Sequence, residues 1–182
     1  MSKYFLKKGL DIMIHDTVLI KHMNKVTMKN HIAIDPGVII STKCNIGNYV
    51  HVAPYCCFIG GKKSYIELND FSFVAAGTKL VAGSEKYLGE GLIGPTINEK
   101  YREIVHGKII FEKYSGCGVN SVILPNIKLG EGSVLGANSL LIEDTEPWTV
   151  YAGSPAKPVK KREKEKIISY SKDLLTRSLE YS

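Results

Sequence analysis

Large apolar residues recur every six positions in the C-terminal half of the chain. In residues 111–142, FEKYSGCGVNSVILPNIKLGEGSVLGANSLLI, these first positions are Phe111, Cys117, Ile123, Leu129, Leu135 and Leu141. A small or slim residue fills the fifth position of each unit, at Ser115, Ser121, Ile127, Ser133 and Ser139. Neither a helix nor a two-faced strand has this period. A short repeat of this kind indicates a solenoid, in which each unit buries its apolar side by stacking on the next.

The pattern predicts a three-sided column, with one short strand and one corner in each unit and three units in each turn. Residues 18 apart then stack in parallel ladders, and the first and fifth positions face inward. We expect Gly118, Gly130 and Gly136 at corners, where a residue without a Cβ can adopt unusual φ values. Asparagine tolerates the left-handed region, so corners are also expected at Asn120, Asn126 and Asn138.

The same period extends towards the N-terminus with interruptions. It begins at Ile14 and Ile20, slips by two residues to Met28, and is then regular from Ile34 to Phe58. Residues 60–67, GGKKSYIE, break it and are predicted to form a loop or corner excursion. The period resumes at Leu68, Val74 and Leu80. The solenoid is therefore predicted over residues 14–158.

Four segments lie outside the repeat. Residues 1–13 are predicted to be an irregular lead-in or a short helix. Residues 81–108 have no six-residue register, and so long a loop in a compact repeat domain is usually functional. An extended exit segment follows Leu141. Residues 159–182 are predicted to be a helix that packs on the column or on a neighbouring subunit, through a stripe of Ile167, Ile168, Leu174, Leu175 and Leu179.

Composition narrows the classes of function. The 182 residues are 44% hydrophobic, which is ordinary for a globular protein, and no run is long enough to span a bilayer. The N-terminus lacks the features of a signal peptide, so a cytoplasmic protein is expected. The net charge of +6 is concentrated in residues 157–166, which suits a solvated helix start or an anionic ligand equally. No aromatic residues interleave these charges, which disfavours nucleic acid.

The order of these parts resembles the hexapeptide-repeat acyltransferases, a family with a left-handed β-helix fold. The similar parts are the coils, the long loop, the run CGVNSVILPNIKLGEGSVLGANSLLIED and the exit segment EPWTVYAGSPAKPVKK. The resemblance covers residues 14–160. It implies a homotrimer that binds acetyl-CoA, as a co-substrate without a metal, in the cleft between neighbouring subunits. By motif position it implies cofactor contacts from Gly118, Asn120, Ala137, Asn138, Tyr151, Ala152, Gly153, Pro155, Lys157 and Lys160.

The sequence does not decide which residue removes the proton from the acceptor substrate. In the O-acetyltransferase branch of the family, a histidine lies early in the long loop, and the matching position here is Glu85. A carboxylate is a poor base for an alcohol unless burial raises its pKa, whereas a neutral amine is already nucleophilic. The alternative catalytic residues are His106, at the end of the loop, and His51. Glu90, Ser84 and Tyr55 are assigned to binding the acceptor.

The absent histidine favours N-acylation. We expect an acetyl-CoA-dependent acetyltransferase that modifies the amine of a nucleotide-linked amino sugar for surface polysaccharide synthesis. An O-acetyltransferase acting on a sugar hydroxyl is the alternative, and a non-catalytic solenoid that serves binding or assembly is a further one. A zinc enzyme on the same scaffold ranks lower, because the five histidines lack the close spacing of a shared metal site. The acceptor and the acyl chain are not specified by the residues.

Overall fold

A computed structural model describes residues 7–180 as a column of parallel strands with three faces. Each turn of the chain adds one strand to each face, so strands one turn apart pair in parallel. In the regular part the paired residues are 18 apart, as with Ile109 and Ile127 and Val122 and Leu140. The predicted solenoid with three units per turn is confirmed.

The three faces consist of very short strands. The first face contains β1 (Lys7–Lys8), β4 (Val26–Met28), β7 (Lys43–Ile46), β10 (Tyr65–Leu68), β15 (Lys108–Phe111) and β18 (Ile127–Leu129). The second contains β2 (Ile12–Ile14), β5 (Ile32–Ile34), β8 (Val50–Val52), β11 (Phe73–Val74), β16 (Gly116–Cys117), β19 (Val134–Leu135), β21 (Thr149–Gly153) and the antiparallel β22 (Ala156–Lys161). The third contains β3 (Leu19–Ile20), β6 (Ile39–Ile40), β9 (Cys57–Ile59), β12 (Lys79–Val81), β17 (Val122–Ile123) and β20 (Leu140–Leu141).

The core of the column is formed by the residues at the first and fifth positions of the repeat. The six first positions from Phe111 to Leu141 are at most 1% exposed. The serines at the fifth positions are at most 2% exposed, and three of them donate to backbone carbonyls, for example Ser121 Oγ to the Gly136 oxygen at 2.9 Å. Serine therefore fits the narrow part of the prism, and the backbone carbonyls satisfy the hydrogen-bonding capacity of its buried hydroxyl.

Corner residues adopt the left-handed conformation at equivalent places in successive turns. The predicted corner asparagines do so, with φ of 56° at Asn120, 64° at Asn126 and 54° at Asn138. The prediction for Gly118, Gly130 and Gly136 was wrong in its reason, because none of them has a positive φ. They are required for close approach instead. A Cβ at Gly118 would lie 2.5 Å from the Ala137 nitrogen, and one at Gly130 would lie 2.6 Å from the Thr145 oxygen.

Asn126 gives a test of the corner geometry away from any candidate site. Its φ is 64°, and its Oδ1 accepts a hydrogen bond from the Lys108 N–H at 3.2 Å. We expect Asn126→Ala to lower the free energy of unfolding by about 1–2 kcal/mol, because alanine is strained in this region. Asn126→Gly is expected to cost less, since glycine adopts this φ freely. Urea denaturation of both variants measures the difference, and an alanine variant as stable as the glycine variant would contradict it.

Several predicted boundaries need correction. Residues 7–13 belong to the first coil, because β1 pairs in parallel with β4 and β2 with β5. Residues 1–6 of the predicted lead-in lie outside the described part. The excursion at 60–67 is shorter than predicted, since Tyr65 already begins β10. The exit strand β22 continues to Lys161, and the helix α1 (Glu165–Glu180) begins six residues later than the predicted start at 159.

The long loop contains structure of its own. It leaves the column after Val81 and returns at Lys108, close to the predicted limits. Its two ends pair as an antiparallel hairpin of β13 (Gly83–Glu85) and β14 (Ile104–His106), and a 3-10 turn covers Glu99–Tyr101. The hairpin therefore fixes the base of the loop against the third face.

A ladder of aromatic rings, which the repeat did not predict, runs along the corner between the first and second faces. Ring centroids are 4.5 Å apart for His31 and Tyr49, 4.9 Å for Tyr49 and Phe71, 5.3 Å for Phe71 and Tyr114, and 5.9 Å for Tyr114 and Trp148. These rings are at corner positions outside the core, so their stacking covers the backbone edge of each turn.

Helix α1 packs on this ladder. The Tyr114 hydroxyl and Ser171 Oγ are 2.8 Å apart, and Ile167 and Leu174 line a small apolar cavity of about 290 Å³ beside Phe71. Of the predicted stripe, Ile168 is partly buried and Leu175 is 43% exposed, so the contact is narrower than predicted. The Leu179 side chain lies outside the described part of the structure.

The cysteines are core residues, as their repeat positions predict. Cys44, Cys56 and Cys117 are completely buried, and Cys57 is partly exposed. Burial raises the pKa of the Cys56 thiol to about 11 and that of Cys117 to about 12. These thiols are therefore protonated at neutral pH and unsuited to nucleophilic chemistry.

Candidate active site

A large cleft lies where the long loop leaves the third face. It has a volume of about 720 Å³ and separates the loop from the GGKK turn (residues 60–63) of the preceding coil. Both features are at the same corner of the column, because each lies between a third-face strand and the following first-face strand. The cleft is lined by Ser84, Glu85, Arg102 and His106 from the loop side. Three of the predicted site residues are thus brought together.

An ion pair between Glu85 and Arg102 dominates one wall of the cleft. Glu85 lies in β13, and Arg102 follows the 3-10 turn on the returning side of the loop. Oε1 of Glu85 accepts from Nε of Arg102 at 3.0 Å and also from its terminal Nη2, and the two side chains are only 14% and 13% exposed. The Gly94 N–H is 3.4 Å from the same oxygen. The pair therefore ties both strands of the loop together.

This contact decides the protonation state of Glu85. Hydrogen bonding from Arg102 lowers the pKa of the carboxyl below its usual range, and this effect exceeds the opposing effect of burial. The sequence-based hypothesis of Glu85 as a base required a raised pKa. The structure gives the opposite direction, so Glu85 is ionised at neutral pH and is a weak proton acceptor. Its other oxygen, Oε2, is buried and has no hydrogen-bond partner in the described part of the chain.

The other loop residues differ in their access to the cleft. Ser84 Oγ contacts the Tyr87 hydroxyl at 3.1 Å, and His106 is exposed on β14, next to Gly83 in the hairpin. Glu90, predicted to bind the acceptor, does not line the cleft. Its Oε2 accepts from the Leu88 N–H at 2.9 Å, so it serves a local turn on the exposed part of the loop.

His51 and Tyr55 lie on other parts of the column. His51 is on the outer side of the second face, where its Nε2 is 2.8 Å from Oδ2 of Asp35. Asp35 can therefore orient the imidazole, but within one protomer this pair does not line the loop cleft. Tyr55 is a left-handed corner residue with φ of 61°, and its exposed ring lies over Gly37.

Most of the predicted cofactor residues meet at the corner between the second and third faces. Three successive levels of this corner carry Gly118 and Asn120, then Ala137 and Asn138, then Gly153 and Pro155. The levels are in close contact: the Gly153 N–H donates to Ser139 Oγ at 3.0 Å, and the Gly136 N–H donates to the Tyr151 oxygen at 2.7 Å. The sequence motif therefore forms one continuous backbone edge.

The two predicted cofactor lysines lie on β22, beside this edge. Lys157 pairs with Ala152 in the β21–β22 hairpin, and its Nζ is 4.0 Å from Oε2 of Glu143. Lys160 is exposed and has no ion-pair partner among residues 7–180. The neighbouring Lys161 differs, because it pairs with Glu146 at 2.7 Å. Of the three lysines at 157, 160 and 161, Lys160 is therefore the one without a carboxylate partner in the described residues.

The third face connects the corner edge with the cleft. Strand β12 begins just after the corner residue Gly77 and ends at Val81, which lines the cleft. A strand of three residues spans about 10 Å. A ligand with an extended arm that lies along this face can therefore contact the corner and the cleft at the same time.

Metal-binding clusters and membrane-spanning helices are both absent from the described residues. Within 7–180, no group of three or more histidine, cysteine, aspartate or glutamate side chains is placed to hold a metal ion. No helix in that range has both the length and the apolar character needed to cross a bilayer.

Known proteins with the same architecture are acyltransferases. AntD, an N-acyltransferase from Bacillus cereus solved with dTDP and 3-hydroxybutyryl-CoA, is 33% identical, with a TM-score of 0.91 over 96% of this chain and 92% of that one. The chain belongs to the hexapeptide-repeat acyltransferases. Its solenoid is the left-handed β-helix of that family.

Two further comparisons agree with this acyltransferase assignment. A mutant of AntD solved with dTDP-4-amino-4,6-dideoxyglucose and coenzyme A matches with the same identity, TM-score and coverage. A dTDP-4-amino-4,6-dideoxy-D-glucose acyltransferase from Escherichia coli is 29% identical over 164 residues, which is 88% of this chain and 84% of that protein. No family model matches the chain.

Two residues of this acyltransferase were not predicted as parts of a site. Arg102 is one of 24 basic residues, and its contact with Glu85 spans 17 positions of a loop without a repeat. Asp35 precedes its partner His51 by 16 positions, which is close to one turn of the column. The turn length of 18 residues is a signal that could have placed Asp35 near His51, whereas no comparable signal points to Arg102.

Proposed function

We propose that this acyltransferase transfers an acyl group from acyl-CoA to the amine of a nucleotide-linked amino sugar. The observation that carries the proposal is the similarity, over nearly the whole chain, to an N-acyltransferase solved with a dTDP-linked amino sugar and coenzyme A. The amino-sugar acyltransferase from Escherichia coli supports the same substrate class. We further propose acetyl as the acyl group, a cytoplasmic location and a role in surface polysaccharide synthesis.

The cleft suits an amine acceptor. The ionised Glu85 is fixed by Arg102 through one oxygen, and its other oxygen has no partner in the described residues. Glu85 lines the cleft, and we propose that its carboxylate accepts a hydrogen bond from the acceptor amine and directs the lone pair of the amine towards the thioester. The C–N bond then forms, the C–S bond breaks, and the nitrogen loses a proton. His106 lines the same cleft, and an imidazole is able to accept that proton near neutral pH.

The acyl donor is proposed to lie along the third face. Its pantetheine arm would follow the corner edge formed by Gly118, Ala137 and Gly153, and its phosphates would meet Lys157 and Lys160. Exposed backbone groups on a solenoid edge suit the amides of the arm. The distance of about 10 Å along β12 then brings the thioester to the cleft.

Lys160 provides a test of the donor position. We expect Lys160→Ala to raise the Kd for CoA about two- to fivefold, with kcat little changed, because an exposed cation contributes modestly to phosphate binding. Isothermal titration calorimetry measures the affinity. Lys128→Ala removes an exposed lysine from the first face and is the matched control. Equal effects in the two variants would place the CoA phosphates elsewhere.

We also propose a homotrimer, which the distribution of outward residues supports. On the second and third faces, Met13, Leu19, Ile39 and Ile59 are large apolar residues that are 68%, 51%, 38% and 40% exposed. The first face presents Thr27, Asn45, Glu67 and Lys128 at comparable positions. Two apolar faces and one polar face suit a ring in which each protomer has two neighbours. Sedimentation velocity would distinguish a trimer from a monomer.

A paired assay tests the reaction itself. Purified protein is incubated with acetyl-CoA and either dTDP-4-amino-4,6-dideoxyglucose or dTDP-glucose, and release of the CoA thiol is followed. We expect rapid release with the amino sugar, an amide product by mass spectrometry, and little reaction with dTDP-glucose. Comparable reaction of the hydroxyl sugar would favour O-acylation. The absence of reaction with both, together with no binding of CoA, would favour a non-catalytic module.

A further inference from the structure

The GGKK turn is an insertion into one coil of the column. Strand pairing shows its size: Leu68 pairs with Ile46, 22 positions earlier, rather than 18 as in the regular turns. Four extra residues therefore project from the corner. They lie directly across the cleft from the long loop, and Lys62 and Lys63 both line that cleft. The insertion adds no core residue, so its contribution is to the cleft.

The base of the turn is packed against the base of the loop. A Cβ at Gly83 would lie 2.8 Å from Ser64 Oγ and 3.0 Å from the Gly60 Cα. The two backbones thus approach as closely as glycine allows, and the cleft has a fixed floor. The tip of the turn is open by contrast: Gly61 has φ of 66°, and a Cβ there would meet nothing within 4 Å.

The GGKK turn contains backbone N–H groups that have no hydrogen-bond acceptor in the described residues. Within residues 7–180, the backbone N–H groups of Gly61, Lys62 and Lys63 donate no hydrogen bond. Successive free N–H groups in a turn that includes a left-handed residue form a concave site for anions. The lysine side chains add charge at the same point. Lys63 is 3.7 Å from Glu99, but both of these side chains are well exposed, so their attraction is weak.

Three cations in the cleft lining, Lys62, Lys63 and Arg102, outnumber the two carboxylates, Glu85 and Glu99, and this small positive excess suits an anionic ligand. Glu85 is already compensated by Arg102, so it does not neutralise the lysines across the cleft. Lys62 has no ion-pair partner in the described part of the chain. The volume of about 720 Å³ is within the range that holds a ligand of nucleotide-sugar size. A ligand bound to the turn at one end would have its other end near Glu85.

We propose that the GGKK turn binds the diphosphate of the nucleotide-sugar acceptor. This inference rests on the proposed function and adds the subsite that holds the acceptor's charge. The diphosphate contacts Lys62, Lys63 and the free N–H groups, and the amino sugar extends towards Glu85 on the opposite wall of the cleft. The turn is then the element that selects a nucleotide-linked sugar over a free sugar. Coenzyme A also carries phosphates, so the experiment has to separate the two ligands.

The test uses the variant Lys62→Ala/Lys63→Ala. Both lysines are exposed on a turn outside the core, so the melting temperature is expected to stay unchanged. The Kd of dTDP is expected to rise roughly tenfold or more, because charge-assisted hydrogen bonds are lost. The Kd of CoA is expected to stay constant. Titration calorimetry at low and high salt measures both, and the salt dependence of dTDP binding should weaken.

Two controls make the outcome decisive. Lys128→Ala/Lys113→Ala removes the same charge from exposed positions away from the cleft and should leave both affinities unchanged. If the wild-type enzyme acylates the dTDP-linked amino sugar while the turn variant binds dTDP normally, the subsite is wrong and the proposed function stands. Weaker CoA binding with unchanged dTDP binding would assign the turn to the donor and overturn the proposal. No acylation and no dTDP binding by the wild type would overturn both.

Discussion

Glu85→Gln is expected to reduce kcat/KM for the amino-sugar acceptor on the order of 100-fold, the scale seen when one preorganised polar group is removed from a reacting site. The amide keeps the shape of the side chain and can still accept from Arg102. It loses the charge, however, and can present an N–H group where the buried Oε2 now has no hydrogen-bond donor. The Kd for CoA is expected to stay unchanged. Steady-state kinetics with varied acceptor measure the effect, and unchanged kinetics would remove Glu85 from the site.

Arg102→Met separates the role of Arg102 from that of Glu85. Because Arg102 is the main cause of the lowered carboxyl pKa, its loss leaves burial to raise that pKa. The acid limb of the kcat/KM profile is therefore expected to move to higher pH. If Arg102 acts through Glu85, the double variant Glu85→Gln/Arg102→Met should be no less active than Glu85→Gln alone. Additive losses would show that Arg102 acts on the substrate independently.

The period of six was sufficient to predict the column because it reports burial directly. Residues at the first and fifth positions, such as Leu135 and Ser133, both point into the interior of the three-sided prism. The corner asparagines followed from local backbone preference in the same way. The corner glycines did not, because Gly118 is required by a neighbouring turn of backbone, which only the packed structure contains.

The candidate site was predictable only in part, since its two halves differ in how they are built. The levels of the corner edge at Gly118 and Asn138 belong to the repeat, whereas the YAGSPAK segment lies outside the repeat and was assigned to the same site by the resemblance to the acyltransferase family. The wall of the cleft on the loop side depends on the contact between Glu85 and Arg102, and the six-residue period does not extend to these two residues. The absent histidine pointed to Glu85, which does line the cleft, but the raised pKa that a base requires is not found there. The aromatic ladder was missed for a similar reason, because its rings occupy outward corner positions that the core pattern ignores.

Phe111→Ala is expected to lower the free energy of unfolding by about 3–5 kcal/mol, the usual cost of removing a buried phenyl ring. Phe111 is 0% exposed and pairs with Leu68 on one side and Leu129 on the other, in the first strand after the long loop. Ile110→Ala is the matched control: its side chain points away from the core and is partly exposed, and it is expected to cost about 1 kcal/mol. Urea denaturation measures both variants.

Because of the position of Phe111, its loss is expected to weaken the column next to the cleft before the whole column unfolds. In a solenoid each turn is held only by its two neighbours, so a cavity weakens the adjoining interfaces more than distant ones. The interface between Phe111 and Leu68 lies between the return of the loop and the coil that carries the GGKK turn. Acceptor turnover is therefore expected to fall at urea concentrations below those that unfold the variant globally. Loss of activity and of far-ultraviolet circular dichroism at the same urea concentration would contradict this, since it would mean that the column unfolds as one unit.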